Sequence, residues 1–113
     1  MASDRAKRTM TTCLRLGQAE TLTYRPAGGT ARSVPAMVDR PGREEQGGVA
    51  SPAIQATLLN DAALGVTPPG VTGGVNTGGD EIDVAEWPGG TAVRRQIVRV
   101  AEADTDFVRV EVR

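Results

Sequence analysis

The stretch Arg95-Gln96-Ile97-Val98-Arg99-Val100-Ala101-Glu102-Ala103-Asp104-Thr105-Asp106-Phe107-Val108-Arg109-Val110-Glu111-Val112-Arg113 closes the chain and decides its fold. Val108, Val110 and Val112 recur at every second position, which places them on one face of a strand, with Arg109, Glu111 and Arg113 on the other. Residues 95–100 form a second β-rich run, and Ala103-Asp104-Thr105-Asp106 supplies the turn between the two. The reading is an antiparallel hairpin with its valines toward a core and its charges toward water.

The same alternation extends toward the N-terminus. Glu81-Ile82-Asp83-Val84 predicts a strand, with Gly89-Gly90 as the turn before the hairpin. Ile54, Ala56 and Leu58 share one face of a strand over residues 53–59. Thr21-Leu22-Thr23-Tyr24 predicts the first strand, and Arg25-Pro26-Ala27-Gly28-Gly29 turns the chain into a second carrying Val34, Ala36 and Val38. Pro35 has no N–H for a ladder, so it predicts a sheet edge or a bulge there.

One helix precedes these strands. Over residues 4–16 the apolar side chains Ala6, Met10, Cys13 and Leu14 fall on one face, Ser3 or Asp4 is a candidate cap, and Gly17 ends the helix. Arg5, Lys7, Arg8 and Arg15 occupy or border the opposite face, either simply solvated or facing an acidic partner. Asn60-Asp61-Ala62-Ala63-Leu64-Gly65 predicts a single capped helical turn ended by glycine.

Two segments lack either period. Residues 40–52, including Arg43, Glu44 and Glu45, predict a mobile polar loop. Residues 66–79, with Val66, Pro68, Pro69, Val71, Val75 and five glycines, predict a long loop or loose hairpin. With 113 residues, the chain has the length of one domain, residues 1–113, with a β-rich core over 20–113. The expected fold class is mainly β: a small antiparallel sandwich or barrel with an N-terminal helix and long loops.

Composition narrows the chemistry. There is no histidine and only one cysteine, so an ordinary Cys/His zinc set and an internal disulfide are both excluded. Nucleophilic catalysis commonly relies on a histidine base, which makes Cys13 a small apolar residue of the helix face. Asp80, Glu81, Asp83 and Glu86 are the densest carboxylates, but alternation puts Glu81 and Asp83 on one strand face and Asp80 on the other, without calcium-loop spacing. No glycine-rich stretch ends in Lys followed by Ser or Thr, and Tyr24, Trp87 and Phe107 are too scattered for a base-stacking platform. With 13 basic against 14 acidic residues, the net charge of −1 gives no general attraction to nucleic acid or acidic lipid. No apolar run approaches the roughly 20 residues of a membrane span, and the N-terminus lacks an apolar signal region, so the expectation is a soluble, non-enzymatic protein without cofactor, metal or membrane partner.

The order of elements resembles a known family. A helix ending in Leu14-Arg15-Leu16-Gly17, then Thr23-Tyr24-Arg25-Pro26 with Gly28-Gly29, then Ala36-Met37-Val38-Asp39-Arg40, is similar to the opening of tailed-phage head-tail joining proteins of the lambda tail-attachment and stopper kind. Asp61-Ala62-Ala63-Leu64-Gly65-Val66, Thr77-Gly78-Gly79-Asp80-Glu81-Ile82-Asp83-Val84 and the hairpin 97–112 match that family's later elements in order. The resemblance departs at residues 69–78, longer than the family pattern, and at Gly89-Gly90-Thr91-Ala92, which lacks an aromatic strand entry.

The resemblance implies a structural protein of the virion, assembled in the host cytoplasm. It would form a hexameric or dodecameric ring below the portal and adaptor, close the DNA-filled head and meet a tail-terminator or tail-tube protein, with non-specific proximity to packaged DNA. Loops 40–52 and 66–79 are then the candidate contacts to subunits or the DNA channel, through Arg43, Glu44, Glu45, Val66, Pro68, Pro69, Val71 and Val75. Two other expectations stand beside it: a tail-terminator or baseplate ring subunit, and a small ligand- or metal-binding barrel using Asp80, Glu81, Asp83 and Glu86.

Overall fold

The computed structural model describes residues 2–40, 54–70 and 73–113. Ser3 caps the helix α1 (Asp4–Arg15), its side-chain oxygen accepting the Ala6 N–H at 3.1 Å. The helix stops one residue before the expected end: Leu16 is its C-cap, and Gly17, at φ 77°, takes the left-handed turn that leads the chain away. Ala6 and Met10 are buried and Cys13 and Leu14 partly so, which is the face that the spacing predicts.

Six strands follow: β1 (Glu20–Arg25), β2 (Arg32–Asp39), β3 (Ile54–Leu59), β4 (Glu81–Ala85), β5 (Ala92–Ala103) and β6 (Phe107–Val112). They pair antiparallel throughout in the order β1-β2-β3-β6-β5-β4, and β4 pairs back onto β1 to close a barrel. The expected mainly β, antiparallel architecture is therefore a closed barrel. Alternation decides which side chains fill it. Val34, Ala36, Ala56, Leu58, Ile82, Val84, Ile97, Val108, Val110 and Val112 point inward and are fully buried. Fully burying a Val, Leu or Ile side chain is worth about 1.5–3 kcal/mol, so this aliphatic interior offsets the shortage of aromatic rings.

Outward residues of β2, β3 and β6 form a second, smaller cluster. Met37, Leu59 and Phe107 meet Ala2, Ala6, Met10 and Ala19, so α1 lies on the outer wall of the barrel. The chain start is tied down as well: the Ala2 N–H donates to the Asn60 carbonyl at 2.6 Å, and the Ser3 N–H to Asp106 Oδ1 at 2.9 Å.

Three local expectations change. Closure leaves no edge strand at Pro35; the proline stands within the β1–β2 ladder opposite Thr21, while on its other side the β2–β3 ladder begins only at Ala36. The penultimate strand runs over twelve residues, well beyond 95–100. Its first half, from Ala92 to Gln96, pairs with β4, and its second half pairs with β6 through two register shifts. Bulges sharpen strand bending, which lets one strand serve both neighbours. Finally, the described part of residues 66–79 is tied to the barrel. The Val66 N–H donates to the Leu59 carbonyl at 3.0 Å, Val75 to Thr67 at 2.9 Å and Gly78 to Ile97 at 2.8 Å.

Candidate functional site

Asp80 is the polar centre of the structure, at 2% exposure. Its Oδ1 accepts the Ala27 N–H at 2.8 Å and its Oδ2 the Asn76 N–H at 2.9 Å, while the Tyr24 hydroxyl donates to the same Oδ2. One carboxylate thereby fastens β1, the turn after it and the segment before β4. The Tyr24 phenol is pushed well above its ordinary range, chiefly by burial, then by its hydrogen bond to Asp80 and by that residue's charge. Arg32 stacks its guanidinium 4.9 Å from the centre of the Tyr24 ring and donates to the Gly65 carbonyl. Its Nε is buried without a partner among the described residues.

Sequence alternation separates Asp80 from Glu81 and Asp83, which lie half-buried on the other face. Asp80 is buried, and Asp83 takes both Arg25 Nε and a terminal nitrogen of the same guanidinium at 3.0 and 2.9 Å. Hydrogen bonding to Arg25 holds the Asp83 carboxyl below the usual range. Glu86 is exposed beyond the end of β4, and Glu81 lies across from Arg25 and Gln96. The four carboxylates do not converge, and no group of three potential metal ligands is present among the described residues.

Of the candidate contact residues, Arg43, Glu44, Glu45 and Val71 lie outside the described residues. Val66 and Val75 are 1% and 3% exposed within the main core, so their side chains serve packing and present nothing to a partner. Pro68 is half-buried and Pro69 exposed. Arg40, placed by its sequence context in the polar loop, is fixed: it makes a bidentate pair with Glu20 and donates from Nε to the Ala85 carbonyl at 2.9 Å. That side chain joins the end of β2 to the start of β1 and the end of β4. On α1, Lys7 reaches Asp61 at 3.4 Å, whereas Arg5, Arg8 and Arg15 are exposed. Cys13 is half-buried in the helix-face cluster.

The expected capped turn after β3 is present. Asp61 Oδ1 accepts from Ala63 and Leu64 at 2.8 and 2.9 Å, and these bonds lower its carboxyl from the usual range. Gly65 ends the turn where a Cβ would stand 2.0 Å from the Leu59 carbonyl oxygen.

Two surface features escaped the sequence reading. Trp87, in the connection between β4 and β5, is 57% exposed, and Val93 nearby on β5 is 47% exposed. The indole lies over Gly90, where a Cβ would come within 2.6 Å of Nε1. The second feature is an open groove of about 370 Å³ on the outer wall, lined by Met37, Thr57, Glu102, Asp104, Phe107 and Arg109. Its residues come from four separated segments, and only the pairing of β2, β3, β6 and β5 brings them together. A lone tryptophan beside a Gly-Gly turn was the one available signal for the first feature. Comparison with protein-family models, with curated proteins and with solved structures returns no match.

Proposed function

We propose that this chain is a structural subunit of a tailed phage or phage-like particle, a head-tail connector of the stopper kind that assembles as a ring beneath the portal and adaptor. The observation that carries the reading is the closed barrel itself. Closure consumes the strand edges, so association runs through connections and outer wall while the scaffold stays rigid. A ring subunit requires that division between fixed core and contacting periphery.

The residues that underlie the resemblance support it at the level of local structure. Gly17 ends α1, Tyr24 bonds to Asp80, Asp61 caps the turn after β3, and Gly78-Gly79 leads into the buried carboxylate. They occupy the joints of the barrel, where residue type matters most. A ligand- or metal-binding barrel built on Asp80, Glu81, Asp83 and Glu86 is not favoured, since Asp80 is already saturated by donors and Asp83 by Arg25.

The test is removal of the gene from a phage or inducible prophage that carries it. The expected particles package DNA, then leak it, and lack tails in electron micrographs; complementation restores infectivity. Normal yields of tailed, infectious particles would overturn the proposal. A tail-terminator or baseplate role would instead give stable filled heads with tails of abnormal length or incomplete tips.

A further inference from the structure

We infer that Asp106 is an acid-sensitive latch for α1: protonating its carboxylate lets the helix leave the barrel wall while the barrel itself stays closed. The inference concerns a single chain and stands apart from the assembly proposed above.

Two separate clusters of buried side chains make this division possible. The barrel interior is filled by strand residues together with Val66 and Val75, and takes nothing from α1. The helix segment adds Ala2, Ala6 and Met10, with Cys13 and Leu14 half-buried, to an outer cluster that also holds Ala19, Met37, Leu59 and Phe107. Every ladder of the barrel lies between Glu20 and Val112, so none breaks when the helix departs. A helix of twelve residues is marginal in water by itself, and α1 therefore persists only while docked. Its undocking and its unfolding are one event.

Asp106 sits at the joint. Its Oδ1 accepts the N–H of Ser3, the residue that caps the helix, at 2.9 Å, which places a negative charge at the positive end of the helix dipole. That carboxyl is held below its usual range, first by the Ser3 N–H, then by the Ser3 side chain, and further by the charge of Arg5. These partners belong to the helix segment and leave with it. The turn carrying Asp106 is fixed without the carboxylate: its N–H donates to Asp104 Oδ1 and its carbonyl accepts the Asn60 N–H, both at 2.8 Å. Of the other charges at this joint, Asp4 lies in the first turn of α1, Asp104 holds the turn from within, and Lys7 pairs with Asp61 at 3.4 Å. Asp61 senses the helix less, because the Leu64 and Ala63 N–H groups that chiefly lower its carboxyl stay with the barrel.

Since Asp106 is more acidic docked than free, undocking takes up a proton. Opening is then indifferent to pH above about 4, the ordinary aspartate value, and grows as pH falls through the lower docked value, by up to about tenfold per pH unit for one proton. The bed that α1 vacates centres on Leu59, now 2% exposed, and continues through Met37 and Phe107 into the open groove.

Amide hydrogen exchange of the full chain, read by mass spectrometry from pH 7 to pH 2.5 and divided by the intrinsic rates at each pH, follows α1 and the barrel separately. Protection over residues 4–15 is expected to fall below about pH 4 while that over 54–59 and 107–112 holds. The only thiol, Cys13, reports the same opening through its rate with dithiodipyridine relative to free cysteine. Asp106→Asn keeps an oxygen for the Ser3 N–H but cannot titrate. Its α1 protection should be several-fold lower near neutral pH and flat in acid, where wild type converges on it. Asp83→Asn, away from the helix, should leave the α1 profile as in wild type. Far-ultraviolet circular dichroism checks folding; if Asp106→Asn does not fold, Ser3→Pro, which the Ser3 φ of −68° accepts, deletes the donated N–H instead and should flatten the profile in the same way. Loss of protection in α1 and barrel together at every pH overturns the inference, as does a wild-type acid profile in the latch variant.

Discussion

Removing the Tyr24 hydroxyl is the cleanest perturbation of the buried polar centre. Tyr24→Phe keeps the ring under Arg32 and deletes one donor to Asp80, which retains its bonds from Ala27 and Asn76. A hydrogen bond to a charged group contributes about 1.5–3 kcal/mol, and with two donors left on the carboxylate the expected loss is about 2 kcal/mol. Asp80→Asn costs more for a geometric reason. The amide oxygen can replace Oδ2 and still accept from Tyr24 and Asn76, but its NH₂ then faces the Ala27 N–H, donor against donor. Asp80→Ala strands all three donors, and a loss of about 3–5 kcal/mol is expected. Urea unfolding followed by far-ultraviolet circular dichroism gives the three values, with unchanged slopes indicating an unchanged unfolded state. The order Phe least, Asn intermediate, Ala greatest is the expectation. Equal stability of wild type and Asp80→Ala would refute the argument that this carboxylate fastens β1 to the segment before β4.

Other predictions follow from the same structure. The Tyr24 phenol has a raised pKa in the fold, so its stabilisation is complete below the unfolded value near 10 and is lost as pH rises toward the folded value; a phenolate absorbance titration of this only tyrosine should show ionisation delayed until unfolding, and Tyr24→Phe should remove that alkaline loss. The depressed carboxyls of Asp61 and Asp83 act at the other end: their contribution is present above about pH 4 and disappears as pH falls through the lower folded values, so melting temperature should drop in acid, less steeply in an Asp61→Asn, Asp83→Asn double variant. Gly65→Ala forces a methyl against the Leu59 carbonyl and should destabilise by about 3 kcal/mol or more, measured by urea unfolding. Leu58→Ala should cost about 2–5 kcal/mol, while Leu64→Ala, at a 45% exposed site, should fall within about 0.5 kcal/mol of wild type.

How far the sequence reveals this structure depends on the range of the interaction. The valines of β6, the Ile54-Ala56-Leu58 face of β3 and the Ala6-Met10 face of α1 are legible because burial imposes a short period on neighbouring residues. Caps at Ser3 and Asp61 are equally local. The anchoring role of Asp80 is not legible, because its donors come from Tyr24, Ala27 and Asn76, and nothing in the Gly-Asp dipeptide shows what closes over it. Val66 and Val75 are hidden for the opposite reason: surrounding prolines and glycines mask two core residues in a segment without periodicity. The start of β5 is not legible, since Ala92-Val93-Arg94-Arg95 lacks the one-sided burial that identifies a strand. Its pairing with β4 alone permits outward exposure. The outer-wall groove is least legible, being a property of four strands in register.

The two long-range ladders of the barrel have a kinetic consequence. The hairpins β1–β2, β4–β5 and β5–β6 join segments close in the chain and can form early, but the β1–β4 and β3–β6 ladders, Thr23 with Asp83 and Ile54 with Val112 among them, join residues far apart in the chain. Loop-closure entropy must be overcome before those contacts return anything, placing the protein among slow, millisecond-to-second folders. Until both ladders form, newly made chains display unpaired strands. The yield of folded protein at high chain concentration would therefore depend on these long-range closures outrunning collisions between unfinished copies.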